Sequence, residues 1–188
     1  MWCRARCRQR PEARPQSTRM PEMEESQLLI RRMQEADIPQ VHEIDTLSLS
    51  LPWSERSYRF EVCENRAARP WVAEVTLPDG SRKLAAMLVL WLILDEAHIA
   101  TVAVHPDYRR KGIGLRLTAH ALADAAQHGA RIAYLEVRAG NFSAQELYQK
   151  LGFRVEGVRS RYYRDNHEDA LLMALENLNA EALQALAS

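Results

Sequence analysis

The feature that most constrains the fold is the segment 102–115, VAVHPDYRRKGIGL, an apolar strand that runs through a basic, glycine-containing turn into a long helix. Free backbone N–H groups at a helix start point outward, and the helix dipole adds positive potential there. Glycines at 112 and 114 leave out side chains that would keep an anion away from the backbone. We therefore predict a phosphate-binding strand-to-helix junction, with plain turn chemistry as the alternative. The segment matches neither the Rossmann fingerprint nor the P-loop.

Hydrophobic periodicity and turn residues outline the remaining elements. They predict strands over 27–32, 71–76, 83–94, 97–104, 131–137, 153–163 and 170–175, helices over 38–47, 55–64, 112–128 and 142–151, and a short helix beyond 176. Ser54 is a predicted N-cap. Because strands and helices mix without strict alternation, the fold class is α+β with a mixed sheet.

Composition excludes several classes of protein. The chain has 188 residues, 47% of them hydrophobic, and no net charge, which is typical of one soluble globular domain that does not bind nucleic acid directly. The longest apolar run, 84–94, is too short to span a bilayer, so we expect no membrane association and a cytoplasmic location. The three cysteines show neither zinc spacing nor a disulfide framework, and the histidines lack ligand spacing, so no metal is predicted.

The first nineteen residues differ from the rest, with six arginines, one glutamate and prolines at 11 and 15. We predict that residues 1–26 are a disordered basic tail or follow from a misassigned start, the true start being Met20 or Met23. An RNA-binding or targeting arm is the alternative. The domain itself is predicted over 27–177, with a short helical extension over 178–188.

The glycine turn carries a family resemblance. Residues 109–114, RRKGIG, resemble the Arg/Gln-x-x-Gly-x-Gly/Ala signature of the GNAT N-acetyltransferases. The stretches LEVRAGN at 135–141, LYQKLGF at 147–153, YY at 162–163, EDA at 168–170 and LPWS at 51–54 are similar to the RimI-type branch, which acetylates the N-terminal alanine of a small-subunit ribosomal protein. Gly140 departs from this pattern, which commonly has serine there.

The resemblance implies a specific architecture and cofactor. In the GNAT fold a mostly antiparallel mixed sheet, flanked by helices, is splayed between its fourth and fifth strands, here 97–104 and 131–137, and acetyl-CoA lies in the gap. The residues implied to bind acetyl-CoA are Val102, Ala103, Val104, Arg109, Arg110, Lys111, Gly112, Ile113, Gly114, Leu115 and Asn141. An ordinary helix N-cap is the alternative role for Asn141.

Two residues are candidates for proton transfer. Glu136 is an acid within an apolar strand, which is unusual because isolated buried charges are costly. The alternative is a strand-end carboxylate that is solvated or paired with Arg138. The resemblance implies that Glu136 accepts the proton and that Tyr148 donates one to the leaving thiolate. A core position is the alternative for Tyr148, since it lies on an apolar helix stripe.

The resemblance also implies a peptide groove walled by Trp53, Tyr162 and Tyr163, with strand packing as the alternative for the tyrosines. Glu43 and Asp45 either hold the substrate amine or lie on a solvated helix face.

The implied function is acetyl-CoA-dependent acetylation of a protein N-terminus by direct attack in a ternary complex. Its partner is the N-terminal peptide of a protein, a ribosomal protein in the RimI-type branch, and we expect a monomer or weak dimer. Acetylation of a small amine or antibiotic, or non-catalytic acyl-CoA binding, are the alternatives.

Overall fold

A computed structural model describes residues 28–188. The strands are β1 (Leu28–Arg32), β2 (Ala68–Thr76), β3 (Arg82–Ile93), β4 (Glu96–Val104), β5 (Ile132–Arg138), β6 (Arg154–Arg159) and β7 (Ala170–Glu176). The helices are α1 (Ile38–Ser48), α2 (Glu55–Cys63), α3 (Ile113–Gln127), α4 (Phe142–Lys150) and α5 (Ala180–Ala187), with 3₁₀ turns at Glu35–Asp37 and Pro106–Tyr108. The tail predicted over 1–26, Gln27 and the two candidate starts lie outside the described residues.

One seven-stranded sheet, in the order β1-β2-β3-β4-β5-β7-β6, organises these elements. Every neighbouring pair is antiparallel except β4 and β5, which are parallel. The pairing of β4 with β5 joins only residues 96–99 to residues 132–135. Beyond that point β4 stays paired with β3, and β5 stays paired with β7. The sheet is therefore splayed between its fourth and fifth strands, which confirms the predicted fold class.

The two faces of the sheet are covered by different helices. Leu88 and Leu90 of β3 belong to a core cluster shared with α3, α4 and α5, whereas Met87 and Val89 belong to a second cluster shared with α1 and α2. This alternation follows from the period of two along a strand. Burial of each side chain of this size contributes roughly 1.5–3 kcal/mol to the stability of the folded state. The packing on both faces therefore stabilises the splayed sheet.

Most element boundaries follow the predicted pattern. The Ser54 hydroxyl accepts a hydrogen bond from the Ser57 N–H at 3.2 Å, which confirms the predicted N-cap of α2. Strand β2 begins three residues earlier than predicted, because residues 68–70 pair with β3.

The predicted strand over 153–163 was wrong at its far end. The chain leaves the sheet after Arg159, and Arg161 adopts a positive φ of 52°. Tyr162 and Tyr163 consequently lie in the loop 160–169 between β6 and β7, so strand packing does not explain them.

Candidate active site

The splayed end of the sheet meets the start of α3, and this junction is built to receive an anion. Six consecutive backbone N–H groups, from Arg110 to Leu115, have no hydrogen-bond acceptor within residues 28–188. Arg110 and Gly112 adopt positive φ angles of 64° and 77°, and left-handed residues in a turn can direct successive N–H groups toward an anion. The exposed side chains of Arg110 and Lys111 add positive charge. A diphosphate fits this junction.

The two glycines have different roles. A Cβ atom added at Gly112 would meet nothing within 4 Å, so this glycine is required by its positive φ and leaves the backbone open. A Cβ atom at Gly114 would lie 3.1 Å from side-chain atoms of Leu147 and Val104. Gly114 is buried and allows α3 to approach β4 and α4, a packing role that we did not predict, and its role at a phosphate stays a prediction.

Arg109 is the first residue of the signature, and its side chain is hydrogen-bonded within the protein. Its Nε donates to the Val104 carbonyl at 3.0 Å, and its Nη2 donates to the Ser48 hydroxyl at 3.0 Å. Ser48 also donates to the Val104 carbonyl, at 3.1 Å. Arg109 thus fixes the turn between β4 and α3 against the end of α1, and the Val104 carbonyl already accepts two hydrogen bonds.

Glu136 lies on the open half of β5. It shares a face with Ile132 and Tyr134, while the alternate residues of β5 are buried, as the strand period predicts. Its side chain is 33% exposed, and its Oε1 atom lies 3.0 Å from Nη1 of Arg159. The alternative prediction, in which Glu136 pairs with Arg138, is wrong, because Arg138 pairs with Asp165 and Glu168. Arg159 reaches Glu136 from β6 on a diagonal across β7, because Ala170 lies opposite Arg159 whereas Leu172 lies opposite Glu136.

Tyr148 is in the core, on α4, and only 6% exposed. Its ring contacts Phe153 edge to face, with the centroids 5.9 Å apart. Burial, and secondarily the neighbouring Tyr163, raises the pKa of Tyr148 above the ordinary tyrosine value. The phenol therefore keeps its proton at neutral pH, and its hydroxyl has no hydrogen-bond partner in the described part of the chain.

Tyr163 connects the two candidate residues. Burial raises the pKa of Tyr163, Arg138 opposes this rise, and Tyr162 and Glu136 add to it. Glu136 and Arg138 lie on one face of β5, and the guanidinium carbon of Arg138 lies 3.7 Å from the centroid of the Tyr163 ring, so the predicted base and one groove tyrosine lie in the same region. Tyr163 also contributes to the raised pKa of Tyr148. Asn141 caps α4, where its Oδ1 accepts from the Ala144 N–H at 3.2 Å.

The structure shows what surrounds Trp53, whose groove role stays a prediction, and it corrects one expectation for Asp45. The Trp53 ring packs beside Tyr58 and Trp91, at centroid distances of 5.6 and 6.5 Å. Asp45 is fully buried, so a solvated helix face was wrong for it, and it accepts from the Trp53 N–H at 2.7 Å. Positions 38, 41 and 45 share one helix face, a spacing in the sequence that could have revealed this burial.

The comparison with known proteins agrees with this geometry. Residues 38–153 match the acetyltransferase (GNAT) family. The chain is 39% identical over 144 residues to a Bacillus subtilis (strain 168) protein provisionally named a [ribosomal protein bS18]-alanine N-acetyltransferase, covering 77% of this chain and 92% of that protein. It is 34% identical over 148 residues to the [ribosomal protein bS18]-alanine N-acetyltransferase of Escherichia coli (strain K12), covering 78% and 95%.

A solved structure shows the same fold. The crystal structure of the ribosomal-protein-S18-alanine N-acetyltransferase from Escherichia coli superposes with a TM-score of 0.71 at 32% identity, covering 81% of this chain and 96% of that one. The family match and these relatives show that the chain is an acyltransferase that takes its acetyl group from acetyl-CoA. More narrowly, the chain belongs to the GNAT family of acetyltransferases, as the glycine signature indicated.

Two further observations concern the described residues alone. Between residues 28 and 188, no three His, Cys, Asp or Glu side chains are arranged to hold a metal ion. Within the same range, no helix has the length and apolar character needed to cross a membrane.

Proposed function

We propose that this enzyme acetylates the α-amino group of the N-terminal alanine of ribosomal protein S18. The observation that carries the proposal is the position of Glu136 on the open half of β5, just beyond the last residue of β5 that pairs with β4. The names of the bacterial relatives support this acceptor. A ribosomal-protein acceptor places the reaction in the cytoplasm, and we propose a monomer or weak dimer.

The chemistry of the acceptor suits a single carboxylate. An α-amino group has a pKa near 7.7–8.0, so roughly a tenth is already neutral at pH 7. A lysine side chain, with a pKa near 10.4, is neutral only about once in 2,500 molecules. An N-terminal amine therefore needs only a weak general base to reach its neutral, attacking form. Glu136, which is partly exposed, accepts the proton that the amine loses as it attacks.

Acetyl-CoA supplies an acetyl group already activated as a thioester. The free N–H groups from Arg110 to Leu115 hold its diphosphate. The end of β4, at Val102 and Ala103, pairs with its extended amide chain as a neighbouring strand would. Tyr148 keeps its proton at neutral pH because burial raises its pKa, and it gives that proton to the departing sulfur.

The peptide enters between two loops on the open face. One is the loop 49–53 between α1 and α2, and the other is the loop 160–169, which carries Tyr162 and Tyr163. Tyr162 is 43% exposed and lies edge to face against Tyr163, with the ring centroids 5.2 Å apart. These rings form one wall of the groove.

The test uses the full chain, acetyl-CoA and the N-terminal peptide of ribosomal protein S18. We expect mass spectrometry to find one acetyl group on the α-amine of the alanine-first peptide, and none on the same peptide with a blocked N-terminus. Spermidine serves as the small-amine control. Failure to acetylate any alanine-, serine- or methionine-first peptide would overturn the proposal, and faster turnover of spermidine would support the small-amine alternative.

Two variants test the assigned roles. Glu136→Gln and Tyr148→Phe should each lower kcat by roughly 10²–10⁴-fold, the range for loss of a general acid or base. Both should leave the Kd for acetyl-CoA unchanged, because neither side chain lies at the diphosphate junction. Unchanged kcat in both variants would refute the roles without refuting the fold.

A further inference from the structure

Arg138 lies two residues after Glu136 on the same face of β5 and makes an unusual set of contacts. Its Nη2 atom donates to the Ser50 hydroxyl and to Oδ2 of Asp165, both at 2.8 Å. Its Nη1 atom donates to Asn166 at 3.1 Å and to Glu168 at 3.2 Å. The Ser50 hydroxyl completes the set, because it accepts from Arg138 and donates to Asp165 at 2.7 Å. We call Arg138, Ser50, Asp165 and Glu168 the arginine latch.

The latch joins the two walls of the groove. Ser50 belongs to the loop 49–53, and Asp165 and Glu168 belong to the loop 160–169, which lies more than a hundred residues further along the chain. The guanidinium carbon of Arg138 also lies 3.7 Å from the centroid of the Tyr163 ring. A planar guanidinium can bind two acceptors and stack on a ring at once, which a lysine ammonium cannot do.

The latch also reaches the helix that carries Tyr148. The second carboxylate oxygen of Glu168 accepts from the Gly140 N–H at 2.7 Å, immediately before the Asn141 cap of α4. A Cβ atom at position 140 would lie 2.8 Å from this oxygen, so glycine there permits the close approach.

The charges at the cleft are divided between two arginines. Arg159 pairs with Glu136, and Arg138 pairs with Asp165 and Glu168, with 22% of its side chain exposed. The guanidinium of Arg138 therefore contacts four polar partners and stacks on one ring. We propose that Arg138 is a positioning residue that sets the width of the acceptor groove by holding the loops 49–53 and 160–169 and the ring of Tyr163 together. This inference rests on the proposed peptide acceptor.

The kinetic test compares Arg138→Lys, Arg138→Gln and Ser50→Ala with a matched control, Arg131→Gln, which removes an exposed arginine just before the same strand. Losing the forked contacts should raise the acceptor KM by about tenfold, the equivalent of roughly 1.4 kcal/mol, while the Kd for acetyl-CoA is unchanged. Ser50→Ala should add little in the Arg138→Lys background, because both substitutions break the same latch. Additive effects, or equal losses in the control, would overturn the inference.

A second measurement does not depend on activity. Amide hydrogen exchange in the free enzyme should speed up in the loops 49–53 and 160–169 together when Arg138 is replaced, and in neither loop for the control. If exchange speeds up in both loops but no peptide is acetylated, the proposed function is refuted, whereas the role of Arg138 in joining the two loops is supported. If exchange changes in one loop only, Arg138 does not join the walls and the inference is wrong.

Discussion

The hydroxyl of Tyr58 should contribute measurably to stability, because it completes a buried polar cluster. Tyr58 is fully buried, and its hydroxyl donates to Oδ2 of Asp45 at 2.6 Å. The same oxygen accepts from the Trp53 N–H at 2.7 Å, whereas Oδ1 of Asp45 is buried with no partner in the described part of the chain. Tyr58→Phe would leave this carboxylate with one hydrogen bond in place of two.

The size of the effect follows from these contacts. A hydrogen bond to a charged group is worth roughly 1.5–3 kcal/mol, and the removed hydroxyl leaves little empty volume. In a domain of this size each kcal/mol lowers Tm by roughly 2–4 °C, so Tyr58→Phe should lower Tm by roughly 3–12 °C.

Thermal unfolding followed by circular dichroism measures this shift. Tyr134→Phe is the matched control, because the Tyr134 hydroxyl makes no hydrogen bond to any described residue and the ring is only partly buried. If Tyr58→Phe shifts Tm no more than Tyr134→Phe does, the buried Asp45 cluster does not stabilise the loop 49–53, and the reasoning is wrong.

Three other substitutions have defined outcomes. Gly114→Val should destabilise by roughly 1–3 kcal/mol in urea unfolding, because its Cβ atom would lie 3.1 Å from two side chains. Arg159→Gln should lower the acceptor KM by up to about fivefold at low salt, since the guanidinium on Glu136 competes with the acceptor ammonium, and added salt should shrink the difference. Burial alone would raise the pKa of Asp37, but the Arg31 hydrogen bonds lower it. Asp37→Asn should therefore lower the free energy of unfolding by its full amount above about pH 5. The difference from the unsubstituted protein should shrink as the pH falls below about 4.

The parts of the fold that were predictable are the local ones. The turn before α3 was predicted because glycine and basic residues at a strand-to-helix junction have a direct backbone consequence. The N-cap at Ser54 and the alternation of Glu136 with Ile132 also depend only on near neighbours in the sequence.

The contacts of the site were not predictable, because they depend on register between distant strands. Arg159 reaches Glu136 only because β6 pairs with β7 and β7 pairs with β5. No short stretch of the sequence predicts this order of strands. Ser50 and Asp165 are likewise brought together by the sheet. The resemblance supplied Glu136 and Tyr148 as candidates, but it did not supply Arg159, the cation that pairs with Glu136.

The division of charge at the cleft bears on the proposed role of Glu136 as the base, because it leaves that carboxylate with a single, exposed cation among the described residues. Arg138, the nearer residue on β5, holds Asp165 and Glu168 and cannot also hold Glu136. The remaining cation, Arg159, is itself half exposed, and ion pairs of that kind contribute roughly 0–1 kcal/mol. If the proposal is right, we expect an incoming ammonium to displace Arg159 at little cost, whereas a tightly buried pair at the same place would block the amine. We therefore expect the weak pair to release Glu136 when the acceptor arrives, and the low-salt KM of Arg159→Gln measures that release.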